Sequence, residues 1–347
     1  MDKIKVGIIG ATGFTGSELV RVLTHHPDVE IAFITSESRA GERFSDVHPF
    51  FEGLVDQELI KATEIRHYDP ELVFLALPHG VSMEYVRDLS NEDFKIIDLS
   101  GDFRLDNAQM YEEWYGQKHS YPAGIGEAIF GCPEILGSAI TKARLVANPG
   151  CYPTSAILAL APLIKSESIL TKPIIVDSKS GITGAGIKSK AVNLYSNVND
   201  NFKAYGLKKH RHTIEIQSVL ERLLRQEIVV QFTPHLLPVD RGILTTVYAQ
   251  PRPDLVMSDD KLREIYTEFY KDAPFVRIRK QPPAIKDVRG SNYCDIYPTW
   301  DERTGMIILI SVIDNLVKGA AGQAVQNMNL MLSLDETSGL MQLPLNP

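Results

Sequence analysis

The sequence predicts an α/β protein of two domains: a mostly parallel, doubly wound sheet, then an α+β domain on a mixed or antiparallel sheet. Three observations predict this. A strand-like run, a glycine-rich turn, a helical pattern and a second strand-like run follow one another within about thirty residues, which is a βαβ unit. Beyond residue 150 the strand-like runs continue, but with hairpin-like or long connections and fewer alternating helices. The length, 347 residues, suits two domains of about 100–200 residues each.

Residues 3–10 (KIKVGIIG) are short, β-branched and end in glycine, as a buried first strand does. Residues 17–25 follow as a helix, with Leu19, Val20 and Leu23 on one face and Pro27 as its stop. Residues 29–35 (VEIAFIT) read as the second strand, and 72–77, 96–99 and 145–147 as further ones. In the second half, 174–177, 228–233, 243–250 and 306–312 read as strands. The last helical pattern, 318–334, repeats Ala321, Ala324, Val325, Met328 and Leu332 at helical spacing, and its small residues permit close packing. It is expected to return to the first domain. The boundaries are therefore set at 1–148, completed by 315–347, and 149–314.

Composition excludes several classes. Lys plus Arg number 36 against 44 Asp plus Glu, a formal charge of −8, which argues against a nucleic-acid partner and against a polybasic membrane anchor. No apolar run approaches the ~18 residues of a spanning helix; the best, 156–164, contains Pro162. The start, Met1-Asp2-Lys3, runs straight into a strand-like segment, so no signal peptide is expected. Three cysteines (Cys132, Cys151, Cys294) without a CxxC pair argue against disulfides or a cysteine-built zinc site and fit a reducing cytoplasm.

Gly10, Gly13 and Gly16 form G-A-T-G-F-T-G at the end of the first strand. Glycines allow a tight turn and let a pyrophosphate approach the backbone, and the following helix start offers free N–H groups. The spacing differs from the usual GxGxxG, and a purely structural turn is the plain alternative. Its place between strand and helix makes a dinucleotide site the sharper reading. An NAD enzyme usually carries an acid at the end of the second strand; here stand Thr35-Ser36-Glu37-Ser38-Arg39. Ser36 and Ser38 can donate to a 2′-phosphate and Arg39 can pair with it, which favours NADP, although Glu37 could instead reach the ribose.

Cys151 follows a short strand and precedes an apolar helical stretch. A helix start favours the thiolate, the form that acts as nucleophile. A buried structural cysteine is the commoner fate of a lone thiol, and position alone leaves both readings open. Residues 208–215 (KKHRHTIE) open an amphipathic helix whose buried face is marked by Ile216, Val219, Leu220, Leu223 and Leu224. Glu215 in its first turn could merely complement the helix dipole, and His210 and His212 could be solvated. As metal ligands the pair lacks further spaced partners, so no metal is expected. Beside a thiolate, however, two histidines and a carboxylate can supply a base and an oxyanion donor.

Taken together, these segments make the chain similar to the N-acetyl-γ-glutamyl-phosphate reductase family, the acyl-phosphate reductases of arginine biosynthesis. The resemblance covers nearly the whole chain: residues 10–16, L-P-H-G at 77–80, L-S-G-D-F-R-L at 99–105, W-Y-G at 114–116, F-G-C-P-E at 130–134 and N-P-G-C-Y-P-T at 148–154. It continues through S-G-I-T-G-A-G at 180–186, H-R-H-T-I-E-I at 210–216, H-L-L-P-V-D-R-G at 235–242, G-S-N at 290–292 and D-N-L-V-K-G-A-A-G-Q at 314–323. Ile214 and Val239 depart from it, at positions that carry no chemistry. The resemblance implies an N-terminal Rossmann domain that binds NADP, a catalytic domain with a mixed sheet, and a homo-oligomer, a tetramer. It implies Cys151 as nucleophile, His212 and Glu215 as the groups that generate or stabilise its thiolate, and His210 facing the substrate carbonyl. It assigns cofactor contacts to Gly10, Thr12, Gly13, Phe14, Thr15, Gly16, Ser36, Ser38, Arg39, Pro78, Ser180, Gly181, Gly184 and Asn315.

The implied reaction is NADPH-dependent reduction of an acyl phosphate to an aldehyde through a cysteine thioester. Arg104, Lys188, Arg211 and Arg241 are candidate cations for the anionic substrate. Rival readings are the same reaction on an N-succinyl or aminoadipyl analogue, an aspartate-semialdehyde dehydrogenase, against which the W-Y-G and H-R-H segments argue, and a non-catalytic NADP sensor, which leaves the cysteine and histidine motifs idle.

Overall fold

The computed structural model describes residues 3–346 and divides into two units. The first comprises the chain up to Pro149 together with Ala320–Met341; the second comprises Gly150–Gly319 and the tail from Gln342.

The first unit is built on β1 (Ile4–Ile9), β2 (Val29–Thr35), β3 (Leu59–Ile60), β4 (Leu72–Leu75), β5 (Lys95–Asp98), β6 (Ile129–Phe130) and β7 (Leu145–Ala147). All pairings are parallel, in the order β3-β2-β1-β4-β5-β7-β6. The central strands are apolar runs buried on both faces, as a parallel sheet requires. Strand order reverses between β1 and β4, so a crevice opens at their C-terminal ends. The first helix is Phe14–Leu23, starting three residues before the expected Ser17. The glycine turn itself supplies the first helical turn, with Ser17 N–H donating to Gly13 O at 2.9 Å.

The closing helix Gly322–Met331 belongs to this unit. Four of its polar side chains are buried, and each is bonded. Gln323 Nε2 and Asn327 Nδ2 both donate to Gly131 O, at 3.0 and 2.9 Å, and Asn329 Oδ1 lies 3.0 Å from His26 Nε2. Gln326 Nε2 donates to Glu134 and Glu336.

The second unit carries β8 (Ile174–Ser180), β9 (Lys203–Ala204), β10 (Val230–Leu236), β11 (Ile243–Ala249), β12 (Val276–Ile278), β13 (Cys294–Asp301) and β14 (Met306–Ile313). The sheet is mixed, in the order β12-β13-β14-β11-β8-β10-β9, with β8–β10 and β12–β13 parallel. Against it pack the helices Cys151–Lys165 and Asp259–Phe269, and the helix His212–Leu224 lies against the first of these.

Two boundaries differ from expectation. Residues 315–319 belong to the second unit, because the Asp314 carboxylate takes the N–H groups of Leu316 and Val317, and Gly319 N–H bonds to Asp314 O. The resulting π-helical turn, Val317–Ala321, delays the regular helix to Gly322. The tail after Met341 also returns to the second unit, where Leu345 N–H donates to Arg289 O. Among the described residues no helix is long and apolar enough to cross a membrane, and no group of three His, Cys, Asp or Glu side chains could hold a metal.

Candidate active site

Cys151 is the first residue of the 15-residue helix Cys151–Lys165, with Gly150 at its N-cap. The expected helix at 156–164 thus begins five residues earlier, at the cysteine. Pro153 fits there because first-turn N–H groups have no intrahelical partner. Gly319 packs on the cysteine: a Cβ at that position would lie 2.7 Å from Cys151 Cβ.

The helix His212–Leu224 opens beside this turn. Glu215, 1% exposed, accepts the Gly150 N–H on Oε1 at 2.7 Å, and its Oε2 lies 4.0 Å from His212 Nε2. One carboxylate therefore anchors the backbone that presents the thiol and faces an imidazole. His210 Nδ1 accepts the His212 N–H at 3.2 Å, which leaves the neutral ring's proton on Nε2. Burial, then the Arg211 charge, lowers the His210 pKa to about 4, so this ring is a neutral donor at ordinary pH.

Aromatic rings enclose the two histidines. His210 and His212 stand 4.8 Å apart, and Tyr152, Tyr205 and Phe232 lie 5.4–5.8 Å from His210. Tyr205 OH bonds to Tyr152 OH, which bonds to His235 O. Burial pushes the Tyr205 phenol up to about 12 and Tyr152 higher. Sequence reasoning missed both tyrosines; Tyr152 adjoins the cysteine, but Tyr205 carries no signal beyond lying five residues before His210.

The loop after β8 lies in the same unit. A Cβ at Gly181 would strike Asp240 O at 2.6 Å, so that glycine serves close packing. Asn315 accepts the Gly242 N–H at 2.7 Å and donates to Thr183 Oγ1 at 2.9 Å, stapling the loop of Ser180 and Gly184 to the end of β14. Of the candidate cations, Arg104 is 5% exposed and donates to the carbonyls of Asn148 and Leu99, Arg241 lies 3.7 Å from Asp314, and Lys188 and Arg211 are exposed.

In the first unit the glycine turn divides its tasks. Gly10 adopts φ +89°, and a Cβ there would meet Ala76 O at 2.6 Å; one at Gly16 would meet Gly10 O at 2.5 Å. Above Gly13 there is nothing within 4 Å, so of the three the middle glycine faces open space. That division suits a pyrophosphate lying over Gly13, among Thr12, Phe14 and Thr15. Ser36 is buried with its Oγ 3.5 Å from Thr12 Oγ1, whereas Ser38 and Arg39 are exposed, Arg39 pairing with Glu42 at 2.9 Å. Glu37 accepts the Ala62 N–H at 3.1 Å. Pro78 is exposed just past β4. Sequence reasoning also missed His48, a buried imidazole packed against Phe44, Phe50 and Phe51, whose pKa burial lowers.

A Rossmann unit with an open glycine turn, joined to a mixed-sheet unit with a cysteine at a helix start, defines an oxidoreductase of the semialdehyde dehydrogenase class. Family models agree: "Semialdehyde dehydrogenase, NAD binding domain" matches residues 5–143 and "Semialdehyde dehydrogenase, dimerisation domain" matches 151–315. Aspartate semialdehyde dehydrogenase with NADP from Candida albicans shares the fold, with a TM-score of 0.73 at 14% identity over 95% of this chain and 99% of that one. N-acetyl-gamma-glutamyl-phosphate reductase from Pelotomaculum thermopropionicum is 48% identical over 341 residues, 97% of each chain. That from Desulfotalea psychrophila is 49% identical over 351, covering 99% of this chain and all of its own. The chain belongs to the N-acetyl-gamma-glutamyl-phosphate reductase family.

Proposed function

We propose that the protein reduces N-acetyl-γ-glutamyl phosphate to N-acetylglutamate 5-semialdehyde and phosphate, with NADPH, in the arginine pathway of a reducing cytoplasm. The observation that carries this reading is the position of Cys151 at a helix start whose preceding N–H is held by Glu215, beside His210 and His212. The names of its relatives supply the substrate.

On this reading His212, backed by Glu215, takes the thiol proton, and the helix start favours the thiolate. The Cys151 sulfur attacks the acyl carbon; the C–S bond forms, the C–O bond to phosphate breaks, and the departing phosphate takes a proton. His210 Nε2–H donates to the carbonyl oxygen as it gains charge, a role suited to a ring that stays neutral. Bound nicotinamide supplies the hydride that reduces the thioester. Breaking the C–S bond then frees the aldehyde and regenerates the thiolate. The turn 10–16 with Ser36, Ser38, Arg39 and Pro78 holds the cofactor, aided by Ser180, Gly181, Gly184 and Asn315. Arg39 and the two serines favour NADP over NAD, and Glu37, engaged with Ala62, leaves the 2′ position to them.

The test is phosphate-dependent oxidation of N-acetyl- against N-succinyl-glutamate semialdehyde and aspartate semialdehyde, with NADP. The N-acetyl substrate is expected to be preferred. Cys151→Ser should fold, bind NADPH and lose at least roughly 10³-fold in turnover, the weight of an activated nucleophile; substantial residual activity would defeat the thioester route. A homo-oligomer, a tetramer, is part of the same proposal.

A further inference from the structure

The helix that begins at Cys151 is enclosed on every side: each residue from Tyr152 to Ile164 is buried. Apolar burial is non-directional and leaves the rotation and slide of such a helix weakly fixed. A fully bonded polar network in a core specifies a single arrangement instead.

One polar row lies beneath the helix. Ser178 on β8, Thr245 on β11 and Ser311 on β14 are direct cross-strand partners, and all three are fully buried. The next row on the same face is Val176, Val247 and Leu309, the apolar kind expected of a buried sheet face. Ser155, also fully buried, reaches from the helix into the polar row. Its Oγ donates to Thr245 Oγ1 at 3.0 Å and to Ser311 Oγ at 3.1 Å, one proton shared between them. Ser178 Oγ lies 2.8 Å from Thr245 Oγ1, and Cys294 Sγ 3.5 Å from Ser311 Oγ. Helical hydroxyls commonly bond back to the carbonyl one turn before them, as Thr154 does to Gly150 O at 3.0 Å and Ser166 to Pro162 O at 2.8 Å. Ser155 directs its proton to the sheet.

Ser155 stands one turn from Cys151 on the same helix face, and Ser311 stands two residues before Ile313 on the same strand face. Gly319 closes the contact at the cysteine: a Cβ there would lie 2.7 Å from Cys151 Cβ and 3.3 Å from Ile313 Cδ1. The helix start is thus held to β14 at Cys151 and again one turn on, at Ser155. The contact at Gly319 only limits how near the cysteine can come. The bonds of Ser155 are directional, and a shift of about 1 Å would break them with no water to replace them.

We infer that Ser155 is a positioning residue for the reaction: held by Thr245 and Ser311, it sets where the Cys151 sulfur stands relative to His212 and Glu215. In taking Cys151 as the nucleophile, this rests on the proposed function. Ser178 bonds to Thr245 and not to the helix, so it lies outside this role.

The test uses full-length Ser155→Ala and Thr245→Val, which remove hydroxyls with little change of shape. Thr245→Ser keeps the hydroxyl, and Ser178→Ala is the control. Iodoacetamide alkylation of Cys151, followed against pH by peptide mass, needs no turnover and reads the thiol independently of the proposed reaction. The kcat and KM of phosphate-dependent semialdehyde oxidation are measured beside it. Misplacement by about 1 Å can cost roughly a hundredfold, so kcat should fall about ten- to a hundredfold in Ser155→Ala and Thr245→Val, with KM within about twofold of wild type. Half-maximal alkylation should move to higher pH in both, because the thiol then stands farther from the groups that favour its thiolate. Thr245→Ser should recover most of both effects. Ser178→Ala should lower the urea midpoint and leave kcat and the alkylation profile as in wild type. Alkylation and kcat within about twofold of wild type in folded Ser155→Ala or Thr245→Val would overturn the inference. So would an equal loss in Ser178→Ala, or failure of both Ser155→Ala and Thr245→Val to fold, since the row would then hold the fold and not the thiol. An active Cys151→Ser beside an altered alkylation profile in Ser155→Ala would overturn the proposed reaction alone and leave the positioning role standing.

Discussion

Single side chains in the two units are tuned by burial in opposite directions. Burial lowers the His210 pKa and keeps that ring neutral, and it raises the pKa of Asp98, at the end of β5. Burial first, then the charge of Asp102, raises the Asp98 pKa from 3.8 to about 6, against the pull of hydrogen bonds from Ser82 and Ser100. A carboxyl whose folded pKa exceeds its unfolded one binds its proton more tightly when folded. Its contribution is therefore fully present below about pH 4 and is lost as the pH rises to about 6, each tenfold difference in proton affinity being worth about 1.4 kcal/mol. Asp98→Asn cannot ionise, so its melting temperature relative to wild type should rise between about pH 4 and 6 and then level off. A difference constant across that range would show that Asp98 titrates normally. Arg39 acts at the surface: exposed and paired across one turn with Glu42, it is available to a 2′-phosphate. Arg39→Ala should weaken NADPH by roughly 1.5–3 kcal/mol and leave NADH unchanged; equal losses would remove Arg39 from that role.

At the scale of elements, the helix carrying the cysteine is fastened far from the cysteine. Pro162 cannot donate to Leu158 O, and the hydroxyl of Tyr270 takes that carbonyl at 2.5 Å, while Tyr266 OH takes Ala159 O. Tyr270→Phe should leave the buried Leu158 carbonyl unbonded, costing about 1–3 kcal/mol. A lower urea midpoint at unchanged m value would show it; an unchanged midpoint would mean that another group satisfies the carbonyl. Neither tyrosine was legible beforehand, since the compensation comes from over a hundred residues away. The same holds elsewhere. β1, β2 and β4 were legible because apolar β-branched runs bounded by turns have few alternatives. β13 (CDIYPTWD) was not, because two acids and Pro298 mask a strand that exists through eight cross-strand partners in β14. The glycine turn was legible between a strand and a helix, and Cys151 and Glu215 as residues at helix starts, which is where they stand. The π-turn before Gly322 was not, since it depends on where the Asp314 carboxylate points.

At the scale of the whole molecule, the mixed sheet leaves a row of side chains outward. Ile175 pairs across to Tyr248, and Tyr248 to Ile308; the first two are 38% and 37% exposed. For the proposed homo-oligomer, this exposed row, in the segment that matches a dimerisation-domain model, is the surface to test. Tyr248→Glu should lower the mass seen by light scattering towards that of one chain without lowering the helix content; unchanged assembly would place the interface elsewhere. Connectivity acts at this scale too. All seven strands of the first sheet are synthesised before residue 150, but the helix that satisfies Gly131 O and His26 lies beyond residue 319. On the ribosome, the domain begun first must therefore wait for nearly the entire message. A chain cut short before residue 320 therefore lacks the partners of Gly131 O and His26, although every strand of the first sheet is already present.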